Sequence, residues 1–337
     1  MTLHLITKLI TSANCLMVMS PIMATVQSSG SVICKKETID ERSWGIINVS
    51  VCNLRQSGDY DAGMASQALL GTPIKILEDG AWLKIQTPDD YKSWVLESSL
   101  CRATSDEVKN WNEAPQIVVT AIYGFVYSKD DTNSQTVSDV VASDRLKLLD
   151  KKGKFYHVAY PDGRTGYLPT SDGDIVSKWR KNIKQDAQSI IATAKKLMGI
   201  PYMWGAMSTK GADCSGFVRT VFMEHDIIIP RDASQQAYIG AHIDIAPDFS
   251  NLLPGDLLFF GCDDCKGKDA HVCHVGIYIG KQKFIHSLGC VHISSFNPED
   301  KEYDEYDRNR LLWAQRVLTY INQEKEINTT DRNEFYK

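Results

Sequence analysis

The sequence predicts an α+β domain in its C-terminal half, preceded by two small all-β barrels. From about Thr38 to Val176, short runs of Val, Ile, Leu and aromatic residues alternate with Gly, Asp, Asn and Pro, which is typical of small barrels. Two stretches inside that region have the same sequence of strand and turn signals. After Trp179 the apolar residues instead recur at helical spacing, and strand-like runs follow later. These observations together predict the order of the domains.

The similarity of these two stretches indicates an internal repeat. The segments from Gly80 to Leu100 and from Gly153 to Gly173 each contain an apolar strand, a Pro-Asp turn and an aromatic-apolar pair, written "PDDYKSWV" in the first and "PDGRTGYL" in the second. Such self-similarity predicts two copies of one barrel, in residues 38–105 and 112–175. Both copies resemble bacterial SH3 domains, for which a structural or wall-binding spacer is the alternative role.

The C-terminal domain is expected over residues 184–321. The stretch "KQDAQSIIATAKKLMG" places its apolar residues on one helical face and ends at Gly199, a helix stop signal. The polar segment 322–337 is expected to be a disordered tail.

Charge and hydropathy exclude several kinds of partner. The chain has 42 acidic and 37 basic residues, a formal net charge of -5 and no basic block, so we expect no nucleic-acid partner. Residues 1–24 have one Lys, no acid, an apolar stretch and a small-residue ending, which predicts a signal peptide and a periplasmic or secreted protein. A lightly packed N-terminus is the alternative. No later stretch approaches the ~18 to 20 apolar residues of a membrane span, so we expect no integral membrane segment in the mature protein.

The chain has nine cysteines, and export would permit disulfides between them. Cys52 and Cys101 bracket the first predicted barrel and could pair. Four others have a spacing that also suits zinc: Cys262, Cys265, Cys273 and Cys290. Disulfides are the simpler account in an exported protein, and in either case we expect no metal in catalysis.

The stretch "KGADCSGFV" places Cys214 in the first turn of a predicted helix, because apolar residues recur at helical spacing after it. Unpaired N–H groups and the positive end of the helix dipole favour a thiolate there, and the thiolate is the nucleophilic form. A buried structural cysteine is the alternative.

Two downstream histidines could supply a base and a group that orients it. "HVGIYIGKQKFIHSLG" predicts a hairpin with His274 and His286 in opposite arms. With a three-residue "GKQ" loop, Ile279 faces Lys283 and Gly276 faces His286, so both imidazoles lie on one face, ~7 to 8 Å apart at the backbone. A two- or four-residue loop would send them to opposite faces. The remaining histidines of this domain are expected at the surface: His225, His242, His271 and His292.

Four motifs in order, "DCSGF", "LLPGDLLFF", "HVGIYIG" and "FIHS", resemble those of the NlpC-type cell-wall peptidases, a papain-like cysteine peptidase family. The resemblance covers residues 185–318 and implies a papain-like α+β fold. It also implies Cys214 as the nucleophile, His274 as the base and His286 as the residue that orients the base. Tyr202, in "PYMWG", matches a tyrosine whose hydroxyl helps to form an oxyanion hole.

Two SH3-like domains ahead of such a peptidase resemble the γ-D-glutamyl-L-diamino acid endopeptidases. That resemblance implies peptidoglycan stem peptides or muropeptides as substrates, a preference for a free N-terminal L-Ala, and no cofactor. The positions implied to contact substrate are Asp213, Ser215, Arg231, Trp204 and Tyr91. Asp213 would meet the substrate ammonium, and Tyr91 would close the pocket. Gly63 stands where that branch often has a glutamate for the ammonium, so a relaxed preference is an alternative.

Two other functions stay open at this point. A non-catalytic wall-binding protein could keep the scaffold, although it has no need for the complete set of Cys, His, His and Tyr. An acyltransferase could use the same thioester, and competition between water and an acceptor would distinguish it from a hydrolase.

Overall fold

The computed structural model describes residues 42–262 and 271–337, and all of them belong to one compact unit. The predicted signal peptide, residues 1–24, and Cys265 lie outside the described residues. Within the described ranges, no helix combines the length and the hydropathy needed to cross a bilayer.

The first β region is a seven-stranded antiparallel sheet paired in the order β3-β2-β6-β5-β4-β1-β7. Its strands are β1 Trp44–Ile47, β2 Val51–Arg55, β3 Met64–Leu69, β4 Pro73–Glu78, β5 Leu83–Gln86, β6 Lys92–Val95 and β7 Leu100–Ala103. Alternate residues of β5, Leu83 and Ile85, are fully buried in its core, as the two-residue period of a strand requires.

The second β region repeats the topology of the first. Its strands are β8 Gln116–Val119, β9 Tyr123–Tyr127, β10 Thr136–Val141, β11 Arg145–Lys152, β12 Phe155–Ala159, β13 Thr165–Pro169 and β14 Gly173–Ile175. Their order is β10-β9-β13-β12-β11-β8-β14, which is the order of the first sheet advanced by seven. This identity confirms the internal repeat. Pairing in the described residues joins the strands as sheets and does not connect the two edge strands of either sheet, so closure into barrels stays a prediction.

The C-terminal region is α+β, as predicted. Its six-stranded antiparallel sheet has the order β18-β23-β19-β20-β21-β22. The strands of this region are β15 Met207–Ser208, β16 Gly211–Ala212, β17 Ile227–Ile228, β18 Ala241–Ile243, β19 Leu257–Gly261, β20 Val272–Gly280, β21 Lys283–Leu288, β22 Cys290–Ser295, β23 Leu311–Arg316 and β24 Asn328–Thr329. Apolar side chains of three helices and of strands that include β19, β20 and β21 form its main core.

Six α-helices connect and cover the sheets of the described ranges. They are α1 Ser105–Glu113, α2 Val176–Asn182, α3 Ala187–Lys196, α4 Cys214–Met223, α5 Ala233–Gln236 and α6 Glu305–Asn309. Single 3₁₀ turns lie at Glu97–Ser99, Leu318–Tyr320 and Glu334–Tyr336. The helix α1 begins with a capping box, in which Thr104 and Glu107 satisfy each other's backbone N–H groups. The helices α3, α4 and α5 contribute the helical side of the main core.

The β20–β21 hairpin places Gly276 opposite His286 as predicted, but it does so with a different turn. Its loop consists of the two residues "KQ", both with positive φ, 55° and 61°, as two-residue hairpin loops require. A β-bulge in β20 restores the register that this short loop would have shifted. Gly280 therefore takes the place predicted for Ile279 opposite Lys283. The predicted pairing at the loop is wrong, and the placement at His286 is confirmed.

The C-terminal segment, residues 322–337, is ordered, so the expectation of a disordered tail is wrong. Its strand β24 pairs with β17 of the C-terminal region. Phe335 is 1% exposed and packs edge-on against Trp44 of the first sheet. Thr330 is fully buried and donates a hydrogen bond to Asp226. Polar composition was misleading here, because the polar groups find partners in other parts of the chain.

Glu224, the residue that ends α4, supplies a test of stability against pH. Its Oε1 is buried without a hydrogen-bond partner in the described structure, and burial raises the pKa of the carboxyl from 4.5 to about 7. The folded chain thus holds a proton that the unfolded chain releases. The contribution of this carboxyl to the free energy of unfolding is fully present below about pH 4.5. It is lost as the pH rises through about 7.

We expect Glu224→Gln to raise the free energy of unfolding by on the order of 2 kcal/mol at about pH 8 and to change it little at about pH 4. Urea unfolding at both pH values measures the difference. Glu299→Gln, at an exposed position, serves as the matched control. An equal gain at both pH values would contradict the assignment to this carboxyl.

Candidate active site

Cys214 is the first residue of α4, as its sequence position predicts. Asp213 caps the helix by accepting the backbone N–H three residues further on, at 2.7 Å. The cysteine is 7% exposed, and its sulfur accepts hydrogen bonds from the backbone N–H groups of Val275 and Ser215. The helix therefore holds the sulfur against β20, the strand that carries His274.

Burial affects the charge states of Cys214 and His274. It raises the pKa of the Cys214 thiol to about 11; the charge of Asp213 adds to this, and the two backbone N–H groups oppose it. The expectation of a stabilised thiolate is therefore wrong, because desolvation outweighs the end of the helix dipole. Burial also lowers the pKa of His274 to about 3. Burial thus favours the uncharged form of each group, a thiol at Cys214 and a neutral imidazole at His274.

His274 and His286 form the hydrogen-bonded pair that the hairpin register predicts. Nε2 of His274 lies 2.7 Å from Nδ1 of His286, and the two side chains are 4% and 0% exposed. On its other side, Nε2 of His286 lies 3.1 Å from both Nε2 of His292 and Oγ of Ser294. The carboxylate of Asp307 approaches Nδ1 of His286 to 3.4 Å. His274 is thus connected through His286 to a buried polar network.

Asp213 and Arg231 form a buried bidentate ion pair, with N–O distances of 2.6 and 3.1 Å. Arg231 also donates to Oγ of Ser215 at 3.0 Å and to Oγ of Ser66, on β3 of the first sheet, at 3.1 Å. Asp213 further accepts the N–H of Gly205 at 2.9 Å. These contacts tie the cysteine-bearing turn to the first β region. The predicted contacts of Asp213, Ser215 and Arg231 with substrate stay predictions.

The predicted aromatic residues lie at different depths around this centre. Tyr202 is beside Cys214: burial raises the pKa of its phenol to about 12, and a negative charge on Cys214 would add to this. Tyr91, between β5 and β6 of the first sheet, lies near Arg231, and burial raises its pKa too. Trp204 is 70% exposed. The structure thus brings Tyr91 and Tyr202 to the same region from two parts of the chain.

Buried contacts hold the first β region against α4, the helix that begins at Cys214. Asp89, in the same loop as Tyr91, forms an ion pair with Arg219 of α4 at 3.2 Å. Gln67 accepts the backbone N–H of Met207 at 2.9 Å. Because these contacts hold the loop of Tyr91 in place, the first β region forms part of the site.

Two groups of potential metal ligands lie in the described ranges, each with its ligand atoms within 4.8 Å of one another. The groups are His274, His286 and Asp307, and His286, His292 and Asp304. In both, the histidines hydrogen-bond to each other, which accounts for their spacing. The described cysteines are free thiols, so the disulfide considered between Cys52 and Cys101 is not formed: Cys52, Cys101, Cys214, Cys262, Cys273 and Cys290.

Comparison with known proteins agrees with this geometry. The model of the NlpC/P60 family matches residues 199–309, and that of the bacterial dipeptidyl-peptidase Sh3 domain matches residues 54–100. A gamma-D-glutamyl-L-lysine dipeptidyl-peptidase of Bacillus cereus is 31% identical over 262 residues, which cover 75% of this chain and 72% of the relative. The chain belongs to the NlpC/P60 family. It is a cysteine peptidase of that family, as the four motifs indicated.

Two further matches extend along most of this NlpC/P60 peptidase. A gamma-D-glutamyl-L-lysine dipeptidyl-peptidase of Bacillus subtilis is 28% identical over 236 residues, covering 67% of this chain and 73% of the relative. The crystal structure of an NlpC/P60 family protein from Bacillus cereus superposes with a TM-score of 0.69 at 26% identity, covering 82% of this chain and all of the other. The likeness thus includes the β regions as well as the catalytic region.

Sequence reasoning missed three side chains of the site. His292 was expected at the surface but pairs with His286 across the β21–β22 hairpin, and the available signal was the glycine turn between them. Ser66 and Asp307 had no local signal, because β3 and α6 reach the site only through the tertiary fold. His225 was also expected at the surface but is buried against Thr193.

Proposed function

We propose that this NlpC/P60 peptidase is exported and hydrolyses the γ-D-glutamyl bond to the L-diamino acid in peptidoglycan stem peptides or muropeptides. The observation that carries the proposal is the Cys214, His274 and His286 arrangement in a chain that resembles two gamma-D-glutamyl-L-lysine dipeptidyl-peptidases over two thirds or more of its length. The signal-like residues 1–24 support export.

The chemistry follows from the resting charge states. His274 takes the proton of Cys214, and the thiolate attacks the γ-carbonyl carbon of D-glutamate. The tetrahedral oxyanion accepts hydrogen bonds from the backbone N–H of Cys214 and the hydroxyl of Tyr202. The imidazolium then protonates the departing amine as the C–N bond breaks, which leaves a thioester. Water, deprotonated by His274, cleaves the thioester and restores the thiol.

The charges near Tyr91 support recognition of a free N-terminal amine. Three carboxylates, those of Asp89, Asp213 and Asp232, lie among two guanidiniums, those of Arg219 and Arg231. These five side chains together have a formal charge of -1 when all are ionised, although burial raises the pKa of Asp232. Since Asp213 is bound by Arg231 and Asp89 by Arg219, Asp232 is the carboxylate left for an ammonium.

Gln56 lies beside Gly63, the position at which related enzymes often have a glutamate. A Cβ at Gly63 would lie 3.2 Å from Oε1 of Gln56, so the Gln56 amide already fills that space. An amide oxygen accepts hydrogen bonds from an ammonium as a carboxylate does, but without a full charge. We therefore propose that the amine preference is kept with a smaller electrostatic contribution.

Mass spectrometry of the products from L-Ala-γ-D-Glu-diaminopimelate, from its L-Lys counterpart and from both peptides N-acetylated tests the proposal. We expect release of L-Ala-γ-D-Glu from the free peptides, no release by Cys214→Ala, and kcat/KM lower by about 10- to 100-fold for the acetylated forms, the range of a lost charged hydrogen bond. Equal cleavage of free and acetylated peptides would overturn the amine preference alone.

Two further outcomes separate the alternative functions. Transfer of the L-Ala-γ-D-Glu group to an added amine in preference to water would identify an acyltransferase. No cleavage of any peptide by freshly reduced protein, together with retention on purified cell wall, would leave a wall-binding protein.

A further inference from the structure

His286 stands at a branch point of buried hydrogen bonds. Its Nδ1 contacts Nε2 of His274 at 2.7 Å, and its Nε2 contacts two groups at 3.1 Å, Nε2 of His292 and Oγ of Ser294. In a neutral imidazole one nitrogen donates and the other accepts. The direction of these bonds therefore decides which nitrogen of His274 carries a proton.

The first branch begins at a backbone carbonyl. Nδ1 of His292 lies 2.9 Å from the carbonyl oxygen of Cys290. A carbonyl oxygen can only accept, so Nδ1 of neutral His292 carries the proton and its Nε2 offers a lone pair. Nε2 of His286 must then be the donor toward His292.

The second branch begins at a carboxylate and reaches the same result. Oγ of Ser294 donates to Oδ2 of Asp304 at 3.1 Å. With its proton committed there, the hydroxyl oxygen can only accept from Nε2 of His286. Two independent acceptors thus favour one tautomer of His286.

A third group, Asp307, favours the opposite tautomer of His286. Its Oδ2 is buried without a hydrogen-bond partner in the described structure and lies 3.4 Å from Nδ1 of His286, so it would favour a proton on that nitrogen. The distance is long for a hydrogen bond. Arg310 binds the other oxygen of Asp307 at 2.6 and 2.7 Å and offsets its charge. The tautomer of His286 is therefore determined by the two acceptors at its Nε2, His292 and Ser294.

We propose that His292 and Ser294 are positioning residues that hold the His286 proton on Nε2, so that His274 donates from Nε2 and keeps Nδ1 unprotonated to receive the Cys214 proton. The opposite tautomer would place the His274 proton on Nδ1 and remove the base. The inference deepens the proposed function and rests on the catalytic roles assigned there, but its structural content does not depend on the substrate.

The tautomer itself can be observed without turnover. In full-length protein carrying Cys214→Ala and ¹⁵N-labelled histidine, NMR distinguishes a protonated ring nitrogen from an unprotonated one. We expect His274 to be protonated on Nε2, and to shift toward protonation on Nδ1 when His292→Phe and Ser294→Ala are combined. A proton on Nδ1 of His274 before either change, or no shift after both, would overturn the proposal. This result stands even if no peptide is cleaved.

Kinetics of the same changes in the active protein give the second readout. Each single variant keeps one acceptor for His286, so we expect kcat to fall by less than about tenfold. The double variant should lose on the order of 10²-fold or more in kcat with little change in KM, because a wrong histidine tautomer acts on the chemical step. The losses should therefore exceed the product of the single effects.

A rescue and a control complete the test. In the Ser294→Ala background, His292→Gln should recover most of kcat relative to His292→Phe, since an amide oxygen can accept from Nε2 of His286. His242→Phe, at a half-exposed histidine outside the site, should leave kcat unchanged. Multiplicative losses, or failure of the glutamine variant to recover activity while thermal unfolding is unchanged, would overturn the proposal.

Discussion

Replacing His274 with alanine is expected to lower kcat for peptide cleavage by about 10⁴-fold at neutral pH. The reason is that the variant lacks a base while burial holds the pKa of Cys214 at about 11. At about pH 7 only on the order of one thiol in 10⁴ would be ionised. The fraction of Cys214 present as thiolate would then be determined by the pH of the solution.

This explanation gives the variant its own pH dependence. Between about pH 7 and 9, kcat/KM of His274→Ala should rise roughly tenfold per pH unit, since the thiolate fraction does so below the pKa. The parent protein should show no such slope, because proton transfer inside the site supplies its thiolate. Steady-state rates over that range make the comparison, with His242→Ala as the matched histidine control. A flat profile for the His274 variant would show that the thiolate forms by another route.

Removing residues 322–337 is expected to destabilise the fold by more than about 5 kcal/mol. Truncating a buried phenylalanine such as Phe335 alone costs about 3 to 5 kcal/mol. The deletion also leaves Asp226, which Arg145 and Arg180 contact, without the Thr330 hydroxyl. Such a loss is comparable with the whole stability of many domains. We therefore expect a chain ending at residue 321 to be largely unfolded or insoluble.

Graded variants keep this prediction testable if the truncated chain cannot be purified. Phe335→Ala should lower the free energy of unfolding by about 3 kcal/mol or more in urea titrations. Lys325→Ala, whose side chain is 79% exposed, should change it by less than about 0.5 kcal/mol. A truncated chain that unfolds at the same temperature as the full chain would mean that the segment's contacts contribute little.

The features that depend on neighbouring residues, such as helix starts and the faces of strands, could be predicted from the sequence. The helix that begins at Cys214 and the shared face of His274 and His286 follow from periods of 3.6 and 2 residues, which neighbouring residues determine. The hairpin loop was predicted with the wrong length, and only the compensating bulge preserved the face. Bulges and loop lengths differ by small energies that the sequence pattern does not show.

Properties that depend on the tertiary structure could not be predicted from the sequence pattern. The raised pKa of Cys214 depends on burial, which a helix position alone does not reveal. The contact of Ser66 with Arg231 joins residues 165 positions apart, and the docking of Phe335 on Trp44 spans almost the whole described chain. Polar composition predicted a solvated tail because it cannot show which polar groups will find partners inside the protein.

The position of the C-terminal segment also sets the order in which the molecule can be assembled. Residues 322–337 contact β17, the first sheet through Trp44 and the second sheet through Arg145, yet they leave the ribosome after every other described residue. Each β region can pair its own strands earlier, since those pairings are contained within it. The contacts of Phe335 with Trp44 and of Thr330 with Arg145 can therefore form only after the strands of both β regions have been synthesised.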